Sequence, residues 1–262
     1  MRLETLSSKN NPKIKQTASL VRSASLRRQQ GLFVAEGLRL CLDAARSSLL
    51  IREVYVTPAA AEKQRDALAE LFAAAQRSYE IALPLAEKLS DTKNTQGIFA
   101  LCAMPSVPQQ KPKKNGRYIA LENIQTPDNL GAICRTAEAL GIDGVIVGGG
   151  CDLYNPKTLR ASMGAMFRLP VWDTADFLTF LADLQHTGFR LLASVPDAAA
   201  LPVTEMSDTH GTVCLIGNEG NGLSAQALAL CDEKITIPMR GRAESLNAAA
   251  AASILMWELM RR

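Results

Sequence analysis

Five short, predominantly apolar runs recur through the second half of the chain: Tyr118–Leu121, Val145–Val147, Leu191–Val195, Val213–Ile216 and Ile235–Ile237. A strand with one face in water alternates apolar and polar residues, whereas a near-continuous apolar run marks a strand buried on both faces, as in a parallel sheet. Helical stretches fall between the runs. Leu130–Leu140 follows the turn and cap signal Pro127-Asp128-Asn129, and Pro156 opens the next helix, where its fixed φ and missing N–H suit the first position. Ala175–His186, Ser224–Leu230 and an Ala-rich stretch about Glu244–Met260 complete the set. Apolar strands with helices between them predict an α/β domain around a parallel sheet.

A second, smaller α/β unit precedes it. Phe33-Val34-Ala35 reads as a strand running into Glu36-Gly37 and a helix near Leu38–Ala45, followed by a strand at Val54–Val56, a long Ala-rich helix near Ala59–Arg77, and a strand at Ile98–Cys102. Between the two units, Met104–Gly116 carries Pro105, Pro108 and Pro112 with three lysines and few large apolar residues, the composition of an extended linker. The expected division is therefore a basic leader at 1–30, a small domain at 31–103, a linker at 104–116 and a large domain at 117–262.

Charge and cysteine usage bound the function. The net charge is only +3, but Arg2, Lys9, Lys13, Lys15, Arg22, Arg27 and Arg28 face the single acid Glu4 in the leader. Lys111, Lys113, Lys114 and Arg117 form a second cluster. Such patches suit a phosphate-backbone partner, and equally a solvated tail and linker. The six cysteines include no Cys-x-x-Cys pair, and several sit in apolar runs such as Val213-Cys214-Leu215-Ile216, where a thiol acts as a small hydrophobe. With His186 and His210 the only histidines, no metal is expected. No apolar run reaches about 18 residues and no secretory h-region opens the chain, so a cytoplasmic protein without a membrane span is expected.

Three polar segments remain, each placed where a strand gives way to a turn or helix. In Asn129-Leu130-Gly131-Ala132-Ile133-Cys134-Arg135-Thr136-Ala137, Arg135 sits in the first half of a helix, where the macrodipole disfavours a cation; a phosphate ligand explains it, as does an ordinary surface position. In Gly217-Asn218-Glu219-Gly220-Asn221-Gly222-Leu223, three glycines surround an acid. A triphosphate loop would carry Gly-Lys-Ser/Thr there, and Gly148-Gly149-Gly150 does not open a helix as a dinucleotide site requires. In the third, Ile237-Pro238-Met239 leads through Arg240-Gly241-Arg242 to Ser245-Leu246-Asn247, with Ser245 and Asn247 suited to capping the last helix. Taken singly, each is as well explained by a turn or a cap.

Together, in this order and spacing, the three segments resemble the motifs of the SpoU (TrmH) family of RNA ribose 2′-O-methyltransferases, within the SPOUT superfamily. The resemblance spans about Gly116 to Trp257 and takes in Asn155-Pro156, Ser162-Met163-Gly164-Ala165 and Leu169-Pro170-Val171. Glu36-Gly37 and Thr95-Gln96-Gly97-Ile98 resemble the family's substrate-binding domain. The resemblance implies a parallel-sheet domain with a deep trefoil knot, a rare exception to the rule against knots, plus the smaller α/β RNA-binding domain. It implies S-adenosylmethionine (AdoMet) as cofactor, held by Gly217, Ile237, Met239 and Leu246, and a catalytic set of Arg135, Asn129, Glu219, Ser245 and Asn247. It further implies RNA as substrate; the separate N-terminal domain with its basic leader favours ribosomal RNA over transfer RNA. It also implies a homodimer built on the last helix. There Leu246, Ala250, Ile254 and Trp257 form one stripe, which packing inside a single chain would also explain. The competing expectations are a transfer-RNA methyltransferase and an RNA-binding or ribosome-assembly factor of the same fold without catalysis.

Overall fold

The computed structural model describes residues 3–47, 49–106, 111–207 and 209–261; Arg2 of the basic leader and Pro108 of the Pro-rich stretch lie outside the described residues. The chain forms two compact units, one of residues 1–105 with Asp152–Phe167, the other of Ser106–Cys151 with residues 168–262.

The first unit runs β1 (Glu4–Leu6), α1 (Pro12–Arg22), α2 (Ala24–Gln30), β2 (Leu32–Glu36), α3 (Leu38–Ala45), β3 (Ile51–Val56), α4 (Pro58–Lys63), α5 (Arg65–Ala74), β4 (Ala75–Ile81), α6 (Leu83–Leu89) and β5 (Ile98–Ala103). Its sheet has the order β1-β4-β3-β5-β2, with β1, β4 and β3 parallel and the β5 pairings antiparallel. Two stretches differ from the sequence expectation. Residues 12–30 are two helices: Asn11 caps α1 by accepting from the Lys13 amide at 2.9 Å, and Ile14, Leu20 and Val21 enter the core. Burying each such side chain contributes about 1.5–3 kcal/mol, enough to hold a helix whose other face is basic. Arg27 turns inward at 2% exposure, donating to the Val21 carbonyl at 3.1 Å and, through Nε, to Asp152 at 2.7 Å. The expected long helix at 59–77 breaks at Gln64 and ends at Ala74, because Ala75–Ile81 pairs with both β1 and β3 and buries Tyr79 and Ile81. Tertiary pairing there overrides the helical propensity of an Ala-rich segment.

The second unit contains β6 (Arg117–Glu122), α7 (Pro127–Leu140) and β7 (Gly144–Gly148); the chain then passes through α8 (Pro156–Ser162), which belongs to the first unit. It resumes with β8 (Val171–Thr174), α9 (Phe177–His186), β9 (Arg190–Ser194), β10 (Leu201–Pro202), β11 (Thr212–Ile216), α10 (Ala225–Leu230), β12 (Glu233–Thr236) and α11 (Ala248–Met260). The seven strands lie in the order β10-β12-β9-β11-β6-β7-β8 and every pairing is parallel. Every residue of β7 and β11 is buried, as the apolar runs require. Cys214 lies inside β11, and burial pushes its thiol well above the ordinary range, as it does Cys134 in α7, up to about 12.

The last helix presents two faces. Ala248, Ala252, Leu255, Met256 and Leu259 are buried, and α11 lies against α7, where Ser253 Oγ donates to Thr136 Oγ1 at 3.4 Å. Of the expected stripe, Trp257 is 57% exposed, Ile254 38%, and Ala250 is exposed as well, whereas Leu246, 39% exposed, precedes the helix, which starts at Ala248 and not near Glu244 because Asn247 caps it. Packing within the chain therefore does not account for the exposed face.

Candidate active site

In open parallel sheets, ligands bind beyond the carboxyl ends of the strands, and three neighbouring strands here end at one cavity. It has a volume of about 680 Å³ and is walled by Ser194–Pro196 after β9, by Ile216–Leu223 after β11, and by Ile237, Met239 and Glu244–Ala248 after β12. Its size falls within the range of small-molecule sites. The walls contain Glu219 and Glu244 and no lysine, arginine or histidine.

The loop after β11 is folded tightly on itself. Asn218 and Gly222 exchange backbone hydrogen bonds of 3.0 and 2.9 Å. The Asn218 side chain accepts from the Gly220 and Asn221 amides at 2.9 and 3.0 Å and donates to the Asn123 carbonyl at 2.9 Å. Gly217 has no room for a side chain, since a Cβ there would stand 2.1 Å from the Gly222 carbonyl carbon. At the loop's far end Glu122, the last residue of β6, accepts from the Ser224 amide at 2.8 Å and its hydroxyl at 2.6 Å. Ser224 in turn caps α10.

Glu219 reaches from this loop to the start of α7. Its carboxylate accepts from the amides of Gln125 and Thr126 at 3.1 and 3.2 Å, and from Asn129 Nδ2 at 3.0 Å. The positive end of a helix favours an anion there, and Thr126 supplies no side-chain cap of its own. Partial burial pushes the Glu219 carboxyl up, but the hydrogen bonds from Asn129 and the backbone outweigh it and hold the group at about 2. Asn129 is the third residue of α7 and does not cap it; its Oδ1 accepts from Asn247 Nδ2 at 3.0 Å. Asn247 caps α11 through Oδ1, which accepts from the Ala249 amide at 2.9 Å and the Ala250 amide at 3.3 Å.

Of the expected site residues, Gly217, Ile237, Met239, Leu246, Glu219, Ser245 and Asn247 all line the cavity. Asn129 is tied to two of them by hydrogen bonds. Ser245 precedes α11 and is not its cap. Arg135 stands apart: it is exposed on α7, is absent from the cavity walls, and has no hydrogen-bond or ion-pair partner among the described residues. Sequence reasoning missed Ser194–Pro196, which the strand-end rule applied to Leu191–Val195 would have found. It also missed Glu122 and the Gln125 and Thr126 amides, for which no motif exists. No three His, Cys, Asp or Glu side chains converge as metal ligands among the described residues. No described helix is long and apolar enough to cross a membrane.

Residues 116–257 match the SpoU rRNA Methylase family, and residues 11–100 match the MRM3-like substrate binding domain. The chain is 31% identical to an uncharacterized tRNA/rRNA methyltransferase of Synechocystis sp., across 99% of this chain and 94% of that protein. It is 29% identical to the 23S rRNA (guanosine(2553)-2′-O)-methyltransferase RlmP of Bacillus subtilis, across 98% of this chain and 99% of that one. Its fold is similar to the AdoMet-bound rRNA methyltransferase from Sinorhizobium meliloti, with a TM-score of 0.86 at 27% identity, covering 99% of this chain and 98% of the other.

Proposed function

This chain belongs to the SpoU rRNA methylase family, and from that membership we propose that it transfers a methyl group from AdoMet to a ribose 2′-hydroxyl of RNA, ribosomal RNA before transfer RNA. The observation that carries the reading is the sign of the cavity. A pocket walled by two acids and no base suits a cationic sulfonium and repels the phosphates of a nucleotide. Gly217, Ile237, Met239 and Leu246 are the residues that hold the cofactor, the glycine leaving its backbone free for contact. The knot implied by the sequence resemblance belongs to this reading. Ribosomal RNA is favoured because a relative that matches along nearly its whole length is named for 23S rRNA; the cytoplasm is the compartment that goes with this reading.

Bound AdoMet supplies a methyl already activated by positive sulfur. The chain must then align the hydroxyl and manage its proton, and orientation is the larger part of that work. Glu219 is a poor base, since its carboxylate is held near 2 and already accepts three hydrogen bonds. It fixes Asn129, and with Asn247 and Ser245 forms a polar wall that positions the ribose. A guanidinium donates and cannot accept a proton, and Arg135 has no partner among the described residues, so it binds the neighbouring phosphate and stabilises the developing alkoxide, with that phosphate or water taking the proton.

The same reading makes the protein a homodimer. The exposed face of α11 with Ala250, Ile254 and Trp257 is the one a second copy covers, and residues from both copies complete the site, which accounts for Arg135 standing outside the walls of its own cavity. Transfer of tritiated methyl to unmethylated rRNA tests the activity. Arg135→Ala is expected to abolish transfer while AdoMet affinity stays within about twofold; retained turnover would overturn the Arg135 role.

A further inference from the structure

The connection from β12 to α11 carries two arginines that the reaction leaves without a task. Arg240 and Arg242 are both exposed, and among the described residues neither has a hydrogen-bond or ion-pair partner. Exposure alone says little about a cation, but three placements say more. Met239 and Glu244, on either side of the pair in the chain, are walls of the cavity, while the arginines are not, so the segment that carries them joins two stretches of the wall. Gly241 separates them without internal reason: its φ lies outside the left-handed region and a Cβ there would meet nothing within 4 Å. A glycine needed by neither turn nor packing leaves the backbone between two arginines open to close approach from outside. Charge is also sorted along this segment, with Glu244 in the wall and the two exposed arginines outside it.

We propose that Arg240 and Arg242 form a clamp on the RNA backbone, each holding a phosphate next to the nucleotide that receives the methyl. The planar guanidinium matches a phosphate with two parallel N–H donors. Such contacts set the register of the strand and carry no base identity. The clamp rests on the reading of the cavity as the site of an RNA methyltransferase.

The test uses the full chain, tritiated AdoMet and a 23S rRNA transcribed in vitro, which carries no methyl groups. R240A/R242A is expected to raise KM for the transcript about tenfold, the loss of a charge-assisted contact, with AdoMet affinity and sedimentation as in the wild type. Filter binding across a salt series should give a slope of log affinity against log salt shallower by roughly 1 for each arginine removed. R240K/R242K keeps the charge and should restore the slope. An unchanged KM and slope would overturn the clamp; so would weakened AdoMet binding, which assigns the arginines to the cofactor, or a smaller sedimenting species, which assigns them to a subunit contact. The two levels separate cleanly. A wild type that methylates the transcript beside an unimpaired double variant removes the clamp alone, whereas a wild type that transfers no methyl removes the enzyme reading and the clamp with it.

Discussion

Asn129 and Glu219 are bonded across 3.0 Å although 90 residues separate them in the chain. The bond joins the loop after β11 to the first turn of α7, and Asn247 extends it to the start of α11 through Asn129 Oδ1. A carboxylate only accepts, so Asn129 must turn its Nδ2 toward Glu219 and its Oδ1 toward Asn247. One orientation satisfies both.

Asn129→Asp tests that orientation directly. The substitution keeps the side chain's shape but sets a second carboxylate against Glu219 and removes a donor from it. Leaving a polar group unsatisfied costs about 1–3 kcal/mol. A lower melting temperature and a loss of methyl transfer on the order of tenfold or more are expected, measured by thermal melting and tritium incorporation. An unchanged melt and rate would mean that the bond holds nothing.

The depressed Glu219 carboxyl sets a pH window. Its folded value of about 2 lies below the ordinary 4.5, so the unfolded chain binds the proton first as pH falls. The stabilisation it contributes is whole above 4.5 and is lost as the pH falls through 2. The stability difference between the wild type and Glu219→Gln should therefore be flat above about pH 5 and shrink steadily in acid. For the same reason the rate profile should show no Glu219 titration at neutral pH.

Asn247 has two jobs that substitution can separate. Alanine removes both the cap of α11 and the donor to Asn129, and losing such a cap costs about 1 kcal/mol. Aspartate keeps the oxygen that accepts from Ala249 and Ala250 but cannot donate to Asn129. Asn247→Asp should melt above Asn247→Ala, because the cap is kept, and yet turn over slowly; equal activity in Asp and wild type would confine Asn247 to capping.

The strands around this network were legible because burial on both faces leaves apolar runs: β6, β7, β9 and β11 stand where Tyr118, Val145, Leu191 and Val213 announce them. The two-residue β10 and the four-residue β8 carry too few side chains for a pattern. β4 hid behind alanines upstream, since its strand character comes from β1 and β3 on either side. The candidate site divides in the same way. Glycine loops and caps have residue signatures, so segments 217–223 and 245–247 could be marked in advance. The amides of Gln125 and Thr126, and the grip of Glu122 on Ser224, depend on distant backbone that no local motif records. The inward turn of Arg27 was equally hidden, because the carboxylate that balances its charge, Asp152, stands 125 residues away.

Gly217→Ala asks whether the tight loop is needed for binding. The new Cβ would meet the Gly222 carbonyl carbon at 2.1 Å and the Leu223 nitrogen at 2.2 Å. These are backbone atoms of the same loop and cannot swing aside as a side chain would. The loop must open, which reshapes the cavity wall from Gly217 to Leu223. AdoMet affinity measured by calorimetry should fall at least tenfold, with most of the fold retained by circular dichroism.

Trp257→Glu addresses the exposed face of α11. Trp257 and Ile254 lie on one exposed face of α11, and a large apolar residue 57% open to water is most simply kept by a partner that covers it. Aromatic side chains at the centre of an interface commonly contribute 2 kcal/mol or more, and two copies of a symmetric contact feel each substitution twice. The buried face of α11, Ala252 to Leu259, is untouched by the change, so the chain should still fold and bind AdoMet through the cavity walls. Sedimentation should show the wild type as a dimer and the variant as a monomer. Methyl transfer should be lost with the dimer, because Arg135 is not among the walls of this cavity in its own chain; a fully active monomer would place the whole site in one copy.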